Sequence, residues 1–167
     1  MFDKEKLKLS DIKSKTTPGL EYISSNELYK APFDKYQPDL EVINKIKSFL
    51  NEKTEKITIV AFGASWCKDC IKNMPELAKI DDVIKDERFK IEVLYNIKVK
   101  ASYAREKGKL MWISPPSPPE TLDLKFDMIH IPAMYIFDKV GNCLGKIDEN
   151  PEHKDTLEEE ILYYLEQ

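Results

Sequence analysis

The sequence predicts an α/β fold, a central mixed β-sheet flanked by helices, and three observations carry that expectation. Residues 57–62 read Ile-Thr-Ile-Val-Ala-Phe, a nearly continuous apolar run that suits a strand buried on both faces. Strand-like and helix-like segments alternate along most of the chain, the pattern that places helices against a sheet. Near the C-terminus two short apolar runs flank Asp138-Lys139-Val140-Gly141-Asn142, a turn composition, and so form an antiparallel hairpin.

The elements follow in order. The first 18 residues carry many lysines and little apolar periodicity. They read as a polar, loosely attached arm (1–18), leaving 19–167 as one domain. Residues 20–23 read as a short edge strand. Pro38 suits the first turn of a helix, in which Leu40, Ile43, Ile46 and Leu50 form one apolar stripe. After the strand 57–62, a helix runs from the Cys67/Cys70 pair through Ile71, Leu77 and Ala78 to about Lys85. Residues 90–97 form a second central strand with Ile91, Val93 and Leu94 as its core. The stretch 98–120 has no clear period; 101–107 suits a helical turn. The four prolines of its Ser-Pro-Pro-Ser-Pro-Pro run (114–119) cannot donate backbone hydrogen bonds, so the run reads as a stiff extended loop, or else as a partner-binding segment. Thr121 can cap a short helix over 122–126. Strands 133–137 and 143–147 make the hairpin, and 153–166 is a helix with Leu157, Ile161, Leu162 and Leu165 on one face. No internal repeat is present. The order is β-α-β-α-β, a long connection, then α-β-β-α.

Composition narrows the function. A chain of 167 residues is the size of one domain. Charged residues make up 34% and the net charge is −4, which argues against a nucleic-acid binder. No apolar run approaches the ~20 residues that cross a bilayer. The first fifteen residues lack the apolar stretch of a signal peptide, so the expected location is cytoplasmic. Three cysteines are too few for a disulfide scaffold, and one must be left over. In a reducing compartment a close pair reads as catalytic or metal-binding.

That pair lies in Trp66-Cys67-Lys68-Asp69-Cys70, directly after the buried strand and at the opening of a helix. There the free N–H groups and the helix dipole favour a thiolate on Cys67. The spacing puts the Cys70 thiol on the next turn, shielded, where it can resolve a mixed disulfide.

These residues resemble the thioredoxin family over roughly residue 20 to the C-terminus. The strand leads into Gly63-Ala64-Ser65-Trp66-Cys67; Pro75 stands five residues after Cys70; and Lys125-Phe126-Asp127-Met128-Ile129-His130-Ile131-Pro132 looks like the family's segment ending in Ile-Pro, followed by a strand. The resemblance implies a thioredoxin-like fold with an insertion at about 98–120, before the helix that leads to the cis-proline. It implies thiol–disulfide oxidoreduction with Cys67 as nucleophile and Cys70 as resolving thiol. Ile131 and Pro132, across a cis peptide bond, would hold the substrate backbone and keep metal ions from the thiols. Trp66 would flank the site on the surface. No metal and no organic cofactor is required. The partners would be disulfide-containing proteins and a source of electrons, either a reductase or a low-molecular-weight thiol. A monomer that binds neither nucleic acid nor membrane is expected.

The departures are specific. The family's buried carboxylate, six residues before the first cysteine, is replaced here by Ala61. Lys68 and Asp69 stand between the cysteines; the lysine favours a neighbouring thiolate and the aspartate opposes it. His130 stands two residues before Pro132, either as a solvated loop histidine or as a cation near Cys67. The insertion emerges near Cys67, and Tyr103, Met111, Trp112 and Ile113 form an expected apolar patch that selects substrates.

Other readings bear on the same residues. The cysteine pair could be half of a zinc site, with Cys143, His130 and His153 as the remaining ligands. Cys143 reads as a small apolar strand residue or as a regulatory or dimerising thiol. The Glu158-Glu159-Glu160 run reads as a solvated helix face. Two rival functions stand beside the reductase: a binding module that kept the fold but lost turnover, and a thiol peroxidase, which needs a supporting arginine from Arg88 or Arg105.

Overall fold

The computed structural model describes residues 1–99 and 111–167. The expected helical turn at 101–107, Tyr103 and Arg105 lie outside the described residues. In chain order the elements are β1 (Thr17–Pro18), α1 (Gly19–Ser24), α2 (Lys30–Lys35), α3 (Leu40–Glu52), β2 (Ile57–Phe62) and α4 (Lys68–Ile84), then β3 (Phe89–Leu94), β4 (Ala133–Phe137), β5 (Cys143–Asp148) and α5 (Leu157–Leu165). The sheet order is β1-β3-β2-β4-β5. β2 and β3 are parallel, whereas β1 pairs antiparallel with β3, β4 with β2, and β5 with β4. This is a mixed sheet with flanking helices, a thioredoxin-like fold.

Burial explains why β2 is central. Ile57, Ile59, Val60, Ala61 and Phe62 are all buried, so both faces of the strand are covered. Phe62 lies between Leu94 of β3 and Ala133 of β4. The loops after β2 and β3 and the loop before β4 therefore meet at one edge of the sheet. On one face Phe62, Phe126 and Tyr135 pack edge to face, with ring centroids 5.3 to 5.8 Å apart. The Tyr135 hydroxyl is satisfied by the Phe126 carbonyl at 2.7 Å. α4 is the hub of the helices, packed against α1, α2, α3 and α5. It buries Cys70, Met74, Leu77, Ala78, Ile80 and Ile84, and it runs on through the buried Pro75.

Several expected elements differ. Residues 20–23 are helical, within α1, and the edge strand is the shorter β1 just before them. Pro38 precedes the cap of α3; Asp39 is the N-cap and accepts from Glu41 N at 2.9 Å. Ile43, Ile46 and Leu50 are buried, but Leu40, at the first position of the helix, is exposed. β3 ends at Leu94 rather than at 97, because Asn96 turns the chain with φ +65°. Residues 122–126 do not form an α-helix; a 3₁₀ turn spans Pro119–Leu122, with Thr121 inside it donating to the Pro118 carbonyl. α5 starts at Leu157 behind Thr156, so His153 lies outside it.

The glutamate run is not a solvated face. Glu158 and Glu160 are fully buried. Glu158 accepts from the Tyr36 hydroxyl and from Asp39 N. Glu160 gathers the backbone N–H groups of Glu152, His153 and Lys154 and the ring of His153. Buried carboxylates survive because each is surrounded by donors. At the hairpin, Gly141 has φ +96°, which a side chain would strain. A Cβ on Gly145 would sit 2.3 Å from the ring of Tyr164.

The N-terminal arm is held rather than loose. Leu7 is wholly buried, Lys8 bridges to Asn142, and Leu9 N donates to Gly141 O at 2.8 Å. Glu120, itself buried, accepts from Lys13 N at 2.7 Å, Ser14 N at 2.8 Å and Ser14 Oγ at 2.6 Å. Burial works to raise the Glu120 pKa, but these hydrogen bonds outweigh it and hold the carboxyl below its ordinary value. A depressed carboxyl stabilises fully above its unfolded pKa and loses that contribution as pH falls through the folded one. Amide exchange at Lys13 and Ser14 should therefore stay slow at neutral pH, accelerate below about pH 4, and be fast at neutral pH in Glu120→Gln. Leu7→Ala should cost about 2–4 kcal/mol in chemical denaturation; a cost near zero would mean that the segment does not share the core.

Candidate active site

The site forms at the sheet edge where β2 ends. The chain leaves Phe62, turns through Gly63 and Ala64, and enters α4 with Cys67 as its N-cap. Cys67 is extended (φ −98°, ψ 122°), which turns its side chain back over the open N–H groups of the first turn. Its sulfur accepts from Cys70 N at 3.3 Å. A sulfur thus fills the place that serine or aspartate usually takes at a helix start.

The two thiols are unlike. Cys67 is half-buried and Cys70 is buried. The Cys67 pKa falls from 9.0 to about 7. The first cause is the Cys70 thiol donating to the Cys67 sulfur; the backbone N–H groups of Cys70 and Asp69 add to it, while burial and the Asp69 carboxylate oppose. The question that Lys68 and Asp69 left open is thus decided by the backbone and the partner thiol. Cys70 moves the other way, pushed well up by the Cys67 sulfur and by burial, with a hydrogen bond from the Ala64 backbone in opposition.

Cys67 faces a cleft of about 300 Å³. Trp66, Cys67, Lys68, Asp69, His130 and Ile131 all line it, so six of the eight sequence-predicted site residues meet there. Cys70 and Pro132 are buried behind it. The Cys67 sulfur lies 3.4 Å from the Ile131 carbonyl oxygen. The Ile131–Pro132 peptide bond is cis. Trp66 is half exposed, and its indole N–H donates to Ile97 O at 3.0 Å, which holds the ring against the loop after β3. His130 Nδ1 lies 3.6 Å from Asp148 Oδ2, so a carboxylate stands beside the ring.

Val99, Met111, Trp112, Ile129 and Glu149 complete the cleft. The expected apolar patch is present in part. Met111 and Trp112 face the cleft; Trp112 bridges to Val99 and its indole N–H donates to Met128 O at 2.6 Å. Ile113 instead donates its N–H to Lys98 O. Val99 and Glu149 escaped the sequence reading, since a lone valine and a loop glutamate carry no local signal.

The alternative zinc ligands are engaged separately. The buried Cys143 thiol donates to Gly145 O, and burial pushes its pKa up to about 11. His153 is bound to Glu160. Among the described residues no group of three or more His, Cys, Asp or Glu side chains is placed to hold a metal. Arg88 is tied to Asp86, Leu50 O and Asn51, beside the start of β2 and a strand's length from Cys67.

A family model described as Thioredoxin matches residues 19–161. The chain belongs to the thioredoxin family. No curated protein matches it. Among solved structures, the crystal structure of an HIV epitope-scaffold is similar at 16% identity over 94% of this chain and 85% of that chain, with a TM-score of 0.51. A protein of unknown function from Pseudomonas aeruginosa is similar at 16% identity, covering 89% of this chain and 82% of that chain, with a TM-score of 0.48. The first of these likenesses concerns the fold alone. A thioredoxin-family domain with a nearby cysteine pair is consistent with thiol–disulfide chemistry. No helix among the described residues is long and apolar enough to cross a membrane.

The inequality of the thiols has a direct readout. Alkylation of Cys67 by iodoacetamide should rise with pH to a midpoint near 7 and level off about a unit above, while Cys70 stays unmodified over that range. Because the Asp69 carboxylate opposes ionisation, Asp69→Asn should move the midpoint lower. A midpoint near 9.0, the ordinary thiol value, would show that the helix start does not activate Cys67.

Proposed function

We propose that this chain is a thiol–disulfide oxidoreductase that reduces disulfides in cytosolic proteins through a dithiol–disulfide cycle of Cys67 and Cys70. One observation carries the reading: the half-buried Cys67 sulfur caps α4, accepting from the backbone N–H of Cys70 at 3.3 Å, while the Cys70 side chain itself is buried. At neutral pH roughly half of Cys67 is thiolate and ready to attack.

The Cys67 thiolate attacks one sulfur of the substrate disulfide, and the other sulfur departs as a thiolate that takes a proton from water. The mixed disulfide is then attacked by Cys70, whose thiol proton is lost. A Cys67–Cys70 bond forms, the Cys67–substrate bond breaks, and the second substrate thiolate leaves. The substrate gains two electrons and the cysteine pair loses two. A reductase or a low-molecular-weight thiol returns the pair to the dithiol form. In this scheme Ile131 and Pro132 orient the substrate backbone beside Cys67, and Trp66 offers an apolar surface to the residue next to the substrate cysteine. Lys68 and His130 act on the charge of the incoming chain. Met111 and Trp112 form the wall that selects among substrates.

A module that binds without turnover has Ala61 on its side, because no carboxylate stands at that position to take the Cys70 proton. Two measurements separate the readings. Cys70→Ser should trap substrate proteins on Cys67 as mixed disulfides, and Cys67→Ser should trap none. The wild-type pair, followed by alkylation mass shift across thiol buffers, should titrate as a two-electron couple near about −270 mV. A value of about −120 to −180 mV would make it an oxidant or isomerase. No reversible couple would leave the binding module.

A further inference from the structure

We propose that Asn73 is a positioning residue of the thiol–disulfide reaction: its buried side-chain amide fixes the Ile131–Pro132 edge at working distance from the Cys67 sulfur, so that a polypeptide disulfide can dock. The inference rests on the redox reading of the Cys67/Cys70 pair and narrows its substrates to disulfides carried on a backbone.

Asn73 lies in the second turn of α4 and is fully buried. A buried amide is costly unless its polar atoms are met. Here Nδ2 donates to Glu149 O at 2.6 Å and to Asn150 Oδ1 at 3.0 Å, and Oδ1 accepts from Lys72 Nζ at 3.4 Å. Glu149 and Asn150 directly follow the end of β5. The N–H of Glu149 donates in turn to Pro132 O at 2.8 Å, one step beyond the last β4–β5 pair, Ala133 with Asp148. The contacts thus close a ring. They run from Asn73 to the Glu149 peptide, on to Pro132 and Ile131, and from Ile131 O back to the Cys67 sulfur at 3.4 Å. Both ends of that ring are on α4, at its N-cap and in its second turn.

Two features show that Glu149 is held in this ring. Its φ is +65°, in the left-handed region that a residue with a side chain occupies only where its surroundings enforce it. It also lines the Cys67 cleft together with His130 and Ile131, so a shift at Glu149 moves the cleft wall.

The contact between Cys67 and Ile131 cannot keep the two edges together by itself. Cys67 donates to Ile131 O only while it carries a proton. A thiolate repels that carbonyl oxygen, and a mixed disulfide has no proton to give. Both states occur in the cycle, at the moments when a substrate chain must lie along Ile131. The Asn73 amide does not titrate, so it keeps the edge in place through all of them.

The test compares a protein disulfide with a small one on the full chain. Insulin, with dithiothreitol as electron donor, must lay its backbone along Ile131; Ellman's reagent needs only the Cys67 sulfur. Asn73→Leu keeps the bulk of the side chain and removes its donors, and Asn73→Ala removes both. In each variant kcat/KM for insulin should fall about 10- to 100-fold, most of it through KM. The first release of thiol from Ellman's reagent at pH 7 should stay within about twofold of the parent rate, because the thiolate is set at the helix start. Hydrogen exchange at the Glu149 amide should quicken in both variants. Parent KM for insulin in Asn73→Leu would assign the site to packing and overturn the proposal. So would equal slowing with insulin and Ellman's reagent, which is the mark of a structural role, or an unchanged Glu149 exchange rate. If the parent protein itself failed to reduce insulin, the redox reading would fall and this proposal with it, an outcome distinct from a failure confined to the variants.

Discussion

The structure of the site depends on one unmet need, that of the first turn of α4 for a hydrogen-bond acceptor. Every helix starts with N–H groups that have no partner within the helix. Here the residue that meets them is the sulfur of Cys67. A sulfur in that place is stabilised most when it is charged, so the stability of the helix start and the reactivity of the thiol come from the same contact. The rest of the fold fixes that contact. β2 is held on both sides and ends at Phe62, and α4 is pinned by four other helices, so the short turn between them has little freedom.

The partner thiol completes the arrangement. Cys70 donates to Cys67 and is thereby made harder to ionise, so the ease of one sulfur and the reluctance of the other are two sides of one hydrogen bond. Neither Lys68 nor His130 is a principal cause of the lowered pKa of Cys67. Net charge around the cleft matters less than the orientation of backbone groups, which salt screens poorly at such close range.

Much of this was legible in the sequence. β2, α4, β4 and the β4–β5 turn carry strong local patterns, and the cysteine pair sits where strand meets helix. The misread parts share a cause. Residues 20–23 are too short for a period to show, and they become helical where Gly19 lets α1 lie against Ile91. Glu158 and Glu160 look solvated because their partners, Tyr36, Asp39 and the loop 152–154, are loop residues supplied only by the tertiary fold. Leu7 shows no periodicity because a single buried side chain needs none.

The strap formed by the N-terminal segment also orders events in time. Its contacts run to Glu120, Gly141 and Asn142, all far along the chain. On a ribosome the segment is made well before any of those partners exists. Leu7 must therefore wait in solvent, or under a chaperone, until the hairpin has emerged, although it is made long before it. The earliest synthesised part of this domain is thus among the last to be seated. It closes over a sheet that must already have been assembled beneath it.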